Sequence, residues 1–399
     1  MRVSKTLIAI SFFLAPFLTH AQETGIGEHA PRLTFEGIDE ASSPISTSAL
    51  KGKVVLLDFW ATWCGPCISN MPHLDSLQQA FPESLEVIAV TMEKQERVRK
   101  FAQKRPYAFQ YALDASGKSQ EVFPYRKIPH SVLIDQQGKV VAITRPQNIT
   151  KETIRKVLNH SDIDLPLKKD NTSFNYTEDY FEADVSTVES FMIQPGNPAI
   201  PSFTKRFQRG PFVNRRLSLH NTTISGMYRE AFKSSRLRMV YEVDESLFDH
   251  TKTENKFNVD IIVPTDSSAY LRDILKRKLN KALEIKGKKG TREQEVAVLY
   301  KLEGENFPAL PATKKSGYSA RGGTFSGTGV SLDDFRSYLE NHGILGMPVV
   351  NETGIEGIYN LKFEFYGEDN QSFFDALKKL GLGIKKENRS IEVVVLYKE

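Results

Sequence analysis

The chain has 399 residues, 40% of them apolar and 26% charged. That is ordinary globular composition at a length of two or three domains, and it excludes collagen-like, coiled-coil and wholly disordered chains. Its 53 basic and 49 acidic residues leave a formal charge of +4, so there is no dedicated nucleic-acid surface and no acidic tail. The only two cysteines share one C-x-x-C, which excludes a disulfide-stapled scaffold and a four-cysteine zinc site.

The N-terminus reads as a leader. Arg2 and Lys5 precede an apolar run over residues 7–18, and Thr19-His20-Ala21 ends in small residues suited to cleavage after Ala21. This is the shape of a secretory signal peptide, and the run is shorter than the about 20 apolar residues of a full bilayer span. An uncleaved membrane anchor is the competing reading. The mature protein is expected to be exported and to have no membrane span.

Residues 54–60, Val-Val-Leu-Leu-Asp-Phe-Trp, form a nearly continuous apolar run, as in a strand buried on both faces. Ala61-Thr62-Trp63-Cys64-Gly65-Pro66-Cys67 follows. Then Ile68, Met71, Leu74 and Leu77 recur at helical spacing, with Pro72 bending the helix. Strand, C-x-x-C, helix is the context in which the motif signals redox chemistry rather than zinc. Unpaired amides and the positive end of the helix dipole favour a thiolate at Cys64. Cys67 lies one turn on, within reach of a mixed disulfide formed at Cys64. Pro66 is tolerated in the first turn, where its missing N–H costs little. A purely structural disulfide is the alternative.

Downstream, strands are expected at 85–91 and 108–113 and helices near 95–104 and 118–123. After Ile128-Pro129-His130 comes a hairpin over 131–144, and a closing helix spans 150–158. Polar residues 168–180 read as linker.

The motif V-V-L-L-D-F-W-A-T-W-C-G-P-C with K-I-P-H-S-V-L-I-D-Q-Q-G-K-V-V resembles thioredoxins. The upstream G-E-H-A-P-R-L-T-F-E and S-A-L-K-G-K narrow the resemblance to exported, TlpA-like thiol-disulfide oxidoreductases, over about residues 25–160. The resemblance implies an α/β thioredoxin fold with Cys64 attacking and Cys67 resolving. Asp58 would be the buried carboxylate that takes the proton of Cys67, and Trp63 a cover for the disulfide. Pro129 would be a cis-proline beside it, and Ile128 a residue whose backbone meets substrate. His130 stands where threonine is commoner, so it would put a titratable, tuning group near the site. Its alternative is a packing role.

The second half carries a repeat. Residues 270–279 read as a helix followed by strand 283–286, a polar turn and strand 295–301. Residues 373–380 repeat the helix, followed by 382–385, a polar turn and 392–398. Helix–strand–turn–strand units of this kind imply an α+β domain. The segment 321–329, Arg-Gly-Gly-Thr-Phe-Ser-Gly-Thr-Gly, reads as a loop before a helix N-capped at Ser331, or as an anion cradle, though it fits no phosphate-loop pattern. From about residue 186 this half resembles an exported bacterial family known only as a domain of unknown function. The match is carried by V-V-N-E-T-G-I-E-G-I-Y-N-L-K-F-E-F at 349–365 and by the C-terminal helix and strand.

The expected organisation is a signal peptide at 1–21, a thioredoxin-like domain at 22–165, a linker at 166–185 and an α+β domain at 186–399. The expected function is reduction of envelope-protein disulfides, in the periplasm or outside the cell, by a dithiol that needs no cofactor and no metal. Gly-Pro between the cysteines favours reduction, since thioredoxin itself lies near about −270 mV. The partners would be a protein disulfide and an upstream membrane electron donor, with no nucleic acid. Two alternatives are an envelope-binding protein whose second domain selects the partner, and a thiol peroxidase.

Overall fold

Strands β1 (Thr34–Gly37), β2 (Ile45–Ser46), β3 (Val54–Phe59), β4 (Leu85–Thr91), β5 (Gln110–Leu113), β6 (His130–Ile134) and β7 (Val140–Thr144) form one sheet in the order β2-β1-β5-β4-β3-β6-β7. The computed structural model describes residues 23–39, 42–170, 174–321, 323–342, 345–367 and 369–399. The expected leader at 1–21 lies outside them. β3 runs parallel to β4, β4 parallel to β5, and β3 antiparallel to β6. All six residues of β3 are buried, as its apolar run requires of a central strand covered on both faces.

Helices α1 (Gly65–Ala80), α2 (Gln95–Lys104), α3 (Lys118–Val122) and α4 (Lys151–Leu158) complete a thioredoxin-like fold. α4 starts at a capping box in which Thr150 and Thr153 satisfy each other's amides. Helix α1 opens where β3 leaves the sheet. The cysteine motif therefore sits at the carboxyl end of the parallel strands, where open α/β sheets place their sites.

The chain divides into two compact units whose last boundary is Asp170/Asn171, with Ala61–Ser69 and Arg97–Arg105 grouped with the second unit. The stretch expected to be a linker, 166–185, is therefore divided as well. In the first unit, Thr144 Oγ1 donates to Pro166 O at 2.6 Å, Lys168 N donates to Ile143 O at 2.9 Å, and Lys168 is buried. In the second, Phe181 is buried, and Asp179 pairs with Arg216 at 3.0 Å. Polarity over 168–180 suggested free chain, but several of these polar groups are partners of buried ones.

The second unit is α+β. Its first sheet orders β8 (Ser190–Pro195), β9 (Phe203–Arg206), β10 (Arg216–Thr222) and β12 (Phe257–Ile262) as β8-β12-β10-β9. The second joins β11 (Met239–Tyr241), β13 (Ile285–Lys301), β17 (Val349–Asn351) and β19 (Leu382–Lys398) as β11-β19-β13-β17. The third joins β14 (Leu310–Pro311), β15 (Gly317–Arg321), β16 (Thr324–Val330) and β18 (Tyr359–Glu364) as β14-β18-β16-β15. Its helices are α5 (Ile224–Phe232), α6 (Leu271–Ala282), α7 (Leu332–His342) and α8 (Asn370–Lys379).

The helix–strand repeat is present as α6–β13 and α8–β19, but the polar segments read as turns stay extended. β13 and β19 are single 17-residue strands paired antiparallel from Ile285↔Lys398 to Lys301↔Leu382. The ribbon serves two cores. One end packs Ile285, Val394 and Leu396 with Leu271, Leu275 and Leu279 of α6. The other packs Ala297, Leu299 and Leu382 with Phe373 and Leu377 of α8. The polar middle crosses between them largely in solvent, so it looks like a turn by composition. Gly287 is required at the buried α6 end, because a Cβ would lie 2.5 Å from the buried Tyr228 ring.

The segment expected as a glycine-rich loop is a hairpin instead, with β15 and β16 paired from Gly317↔Thr328 to Arg321↔Thr324. Ser331 does cap α7. Its Oγ accepts from Asp334 N at 3.2 Å while Asp334 Oδ2 accepts from Ser331 N at 3.0 Å. No helix among the described residues is long and apolar enough to cross a membrane.

Candidate active site

β3 delivers the chain to the site. Trp60 N still bonds to Val90 O at 3.1 Å, after which the chain turns and Cys64 N bonds to Ala61 O at 3.0 Å. Cys64 and Cys67 are joined by a disulfide with Cα atoms 5.2 Å apart. Cys64 is 5% exposed and Cys67 fully buried, so Cys64 is the less buried of the two. The Cys67 amide donates to Cys64 Sγ at 3.2 Å. That bond points an unpaired helix-start N–H at the sulfur that would carry charge as a thiolate. Pro66 occupies the first turn of α1, where it removes no intrahelical bond.

Trp63 is 41% exposed beside Cys64 in sequence. An exposed indole next to a nearly closed disulfide is apolar surface with no fold role. The preceding Thr62 is fully buried, and its Oγ1 accepts from Arg97 Nε of α2 at 2.6 Å, which pins the turn.

Asp58 is buried, and it pairs across the β3–β6 ladder with Ser131, whose Oγ donates to Asp58 Oδ1 at 2.6 Å. Burial pushes the Asp58 carboxyl up to about 7, with the Ser131 bond partly offsetting the rise. A carboxyl with that affinity both accepts and releases a proton near neutrality.

The Ile128–Pro129 bond is cis. Pro129 is buried and Ile128 half-buried against the first unit's core. The adjoining His130 lies opposite Phe59 on β3, 2% exposed, with its ring 5.7 Å from that of Phe59 and 5.1 Å from that of Tyr125. Lys168 Nζ stands 3.2 Å from His130 Nδ1. An ammonium only donates, so Nδ1 is the acceptor and the ring is neutral. Burial, then the Lys168 charge, pull the His130 pKa down to about 3. His130 is therefore not a group that titrates in the working range of an enzyme, which differs from the tuning role its sequence position suggested.

Lys168 also pairs with Asp170 at 2.9 Å. The same Asp170 oxygen accepts from the amides of Arg126 at 2.8 Å and Lys127 at 2.9 Å. Burial pushes Asp170 up, but these amides and Lys168 outweigh it and hold its pKa below the ordinary value. A five-residue strap after the last helix thus fastens the loop that leads into Pro129. Ser131, Lys168 and Asp170 were not among the residues picked out from sequence. The only signal for Ser131 was its place two residues after Pro129 on a strand able to lie opposite Asp58. Lys168 and Asp170 had no signal.

Three comparisons bear on this geometry. A family model described as Redoxin matches residues 26–159, and one described as a protein of unknown function (DUF3738) matches 234–398, starting later than the expected residue 186. The chain is 31% identical over 144 residues to the thiol-disulfide oxidoreductase ResA of Bacillus thuringiensis subsp. konkukian, covering 36% of this chain and 82% of that protein. It is 32% identical over 142 residues to the thioredoxin-like protein YneN of Bacillus subtilis, covering 34% and 82%. Among solved structures, a putative thiol:disulfide interchange protein DsbE from Chlorobium tepidum shares 30% identity over 35% of this chain and 98% of that one, with a TM-score of 0.31.

Proposed function

The chain belongs to the redoxin family as a ResA-like thiol-disulfide oxidoreductase, and from that premise we propose that it reduces disulfides of bacterial envelope proteins through Cys64 and Cys67. One observation carries the assignment of roles. The less buried member of the pair, Cys64, is also the one whose sulfur receives a helix-start amide.

The Cys64 thiolate attacks one sulfur of a substrate disulfide. A Cys64–substrate bond forms, the substrate S–S bond breaks, and one substrate thiolate leaves. Cys67 gives its proton toward Asp58 and its sulfur attacks Cys64 Sγ. The mixed disulfide breaks, the second substrate thiolate leaves and takes up a proton, and the enzyme holds the Cys64–Cys67 disulfide. Two electrons pass from enzyme to substrate, so each turnover needs a two-electron donor, for which a membrane reductant is the proposed source. The near-neutral affinity of Asp58 suits a proton acceptor that must also release.

Trp63 offers the exposed apolar contact beside the disulfide, and Pro66 keeps the first turn tight. The cis Pro129 is the proposed neighbour of the pair, and the Ile128 backbone is the proposed place for an extended substrate strand to bond. His130 acts by position rather than by charge. The envelope location rests on the leader-like residues 1–21.

Insulin reduction by the dithiol-charged protein tests the reading. Turbidity from released B chain is expected with the wild type and is expected to vanish in Cys64→Ser. Wild-type activity at the level of a no-enzyme control contradicts it.

A further inference from the structure

The second unit contains a cavity of about 930 Å3 walled by β9, α5, α7, β17 and β19. That is at the upper end of the size of small-ligand sites. Its walls carry an excess of positive charge. Glu230 is shared by two guanidiniums, Arg206 at 2.6 Å and Arg272 at 3.0 Å. Glu340 is likewise shared by Arg238 at 2.9 Å and Arg336 at 3.1 Å. Each carboxylate answers one of its two cations, and Arg336 also has Asp333 at 4.0 Å. Glu392 is turned to Lys289 at 2.9 Å.

Two further wall cations, Arg229 and Lys233, form no ion pair within 4 Å of a carboxylate among the described residues, although Lys233 lies near enough to Asp334 to help hold its pKa down. Both line the cavity, Arg229 from the last turn of α5 and Lys233 from the left-handed cap that ends it. The Nε atoms of Arg229 and Arg272 are buried and make no hydrogen bond. A buried guanidinium donor without an acceptor costs free energy comparable to a lost charged hydrogen bond, so the protein itself leaves these two guanidiniums under-satisfied.

The walls also carry strand edges. β9 contributes Thr204 and Arg206, and β15 contributes Tyr318. Each is a terminal strand with a hydrogen-bonded neighbour on one side only. A terminal strand offers main-chain donors and acceptors to an extended segment. Charge alone suits any anion, but charge beside strand edges suits a peptide carrying carboxylates. We propose that this cavity binds an acidic peptide segment, with its carboxylates held by Arg229 and Lys233 and its main chain running along the edge of β9. The proposal concerns the second unit only and stands whether or not Cys64 is the attacking thiol.

The test is binding of fluorescein-labelled hexaglutamate to the full-length protein, followed by anisotropy at low and physiological salt. Hexaglutamine and inorganic pyrophosphate serve as comparison probes. Hexaglutamate is expected to bind, and hexaglutamine to bind at least about tenfold more weakly. Arg229→Gln and Lys233→Gln are each expected to lose about tenfold, while the double change Arg277→Gln/Lys278→Gln on the exposed face of α6 leaves binding unchanged. Lys233 is exposed, so its variant keeps the test alive if Arg229→Gln misfolds. Insulin reduction should be equal in all variants. Equal binding of the two peptides, or equal loss in the α6 variant, overturns the site as a non-specific charge effect. Pyrophosphate displacing the peptide at equal concentration overturns the peptide in favour of a small-anion site.

Discussion

Lys168 Nζ lies 3.2 Å from His130 Nδ1 and 2.9 Å from Asp170 Oδ2, so a lysine beyond the last helix of the redox fold is held between the residue after Pro129 and a carboxylate that binds the loop before it. With 5% of the Lys168 side chain and 15% of the Asp170 side chain exposed, neither charge is well solvated alone. Losing one partner of such a pair leaves the other uncompensated, at a cost of about 3 kcal/mol or more.

The first prediction follows from that strap. A fragment ending at Asp170 should fold and reduce insulin. A fragment ending at Leu165 should be less stable by about 2–4 kcal/mol, since it loses the bonds of Thr144 to Pro166, of the Lys168 amide to Ile143 and of the Arg126 and Lys127 amides to Asp170, at about 1 kcal/mol each. Urea unfolding followed by tryptophan fluorescence measures the difference, because the chain's two tryptophans, Trp60 and Trp63, both lie within each fragment. Equal midpoints for the two fragments count against a structural role for the strap.

Asp58 sets a second. Its folded pKa, about 7, stands above the ordinary value of 3.8. The folded state therefore binds this proton more tightly than the unfolded state. Its contribution to stability is fully present below about pH 4 and is lost as the pH rises through 7. The span of about three pH units corresponds to about 4 kcal/mol. Asp58→Asn removes that slope, so the variant should gain on the wild type between pH 4 and pH 8. Unfolding curves of oxidised protein at several pH values check this, and parallel pH profiles for the two proteins contradict it.

What was legible in the sequence was local. The apolar run from Val54, the C-x-x-C and the helical spacing from Ile68 to Leu77 are contiguous, and each is set by its own neighbours. Asp58 is singled out by the resemblance, which implies a buried carboxylate behind the second cysteine, and its place in an apolar run agrees with that. What escaped was long-range or composite. The Lys168–His130 contact spans 38 residues and the Asp170–Lys127 contact 43, and nothing in a polar tail announces which of its charges will be buried. The middle of β13 reads as a turn because its polar residues satisfy one another across the ribbon rather than a core. The cationic cavity draws on helices and strands scattered from residue 204 to residue 394, and no stretch of chain shows it whole.

The central claim is that Cys64 attacks and Cys67 resolves, and sulfur trapping tests it most directly. Reduced Cys67→Ser, mixed with a protein disulfide at equal concentration and quenched in acid, is expected to accumulate a mixed disulfide that peptide mapping places on Cys64. Reduced Cys64→Ser should accumulate almost none, because its remaining thiol is fully buried. The opposite outcome, an adduct on Cys67 in the Cys64→Ser protein and none on Cys64, contradicts the assignment of roles and with it the mechanism.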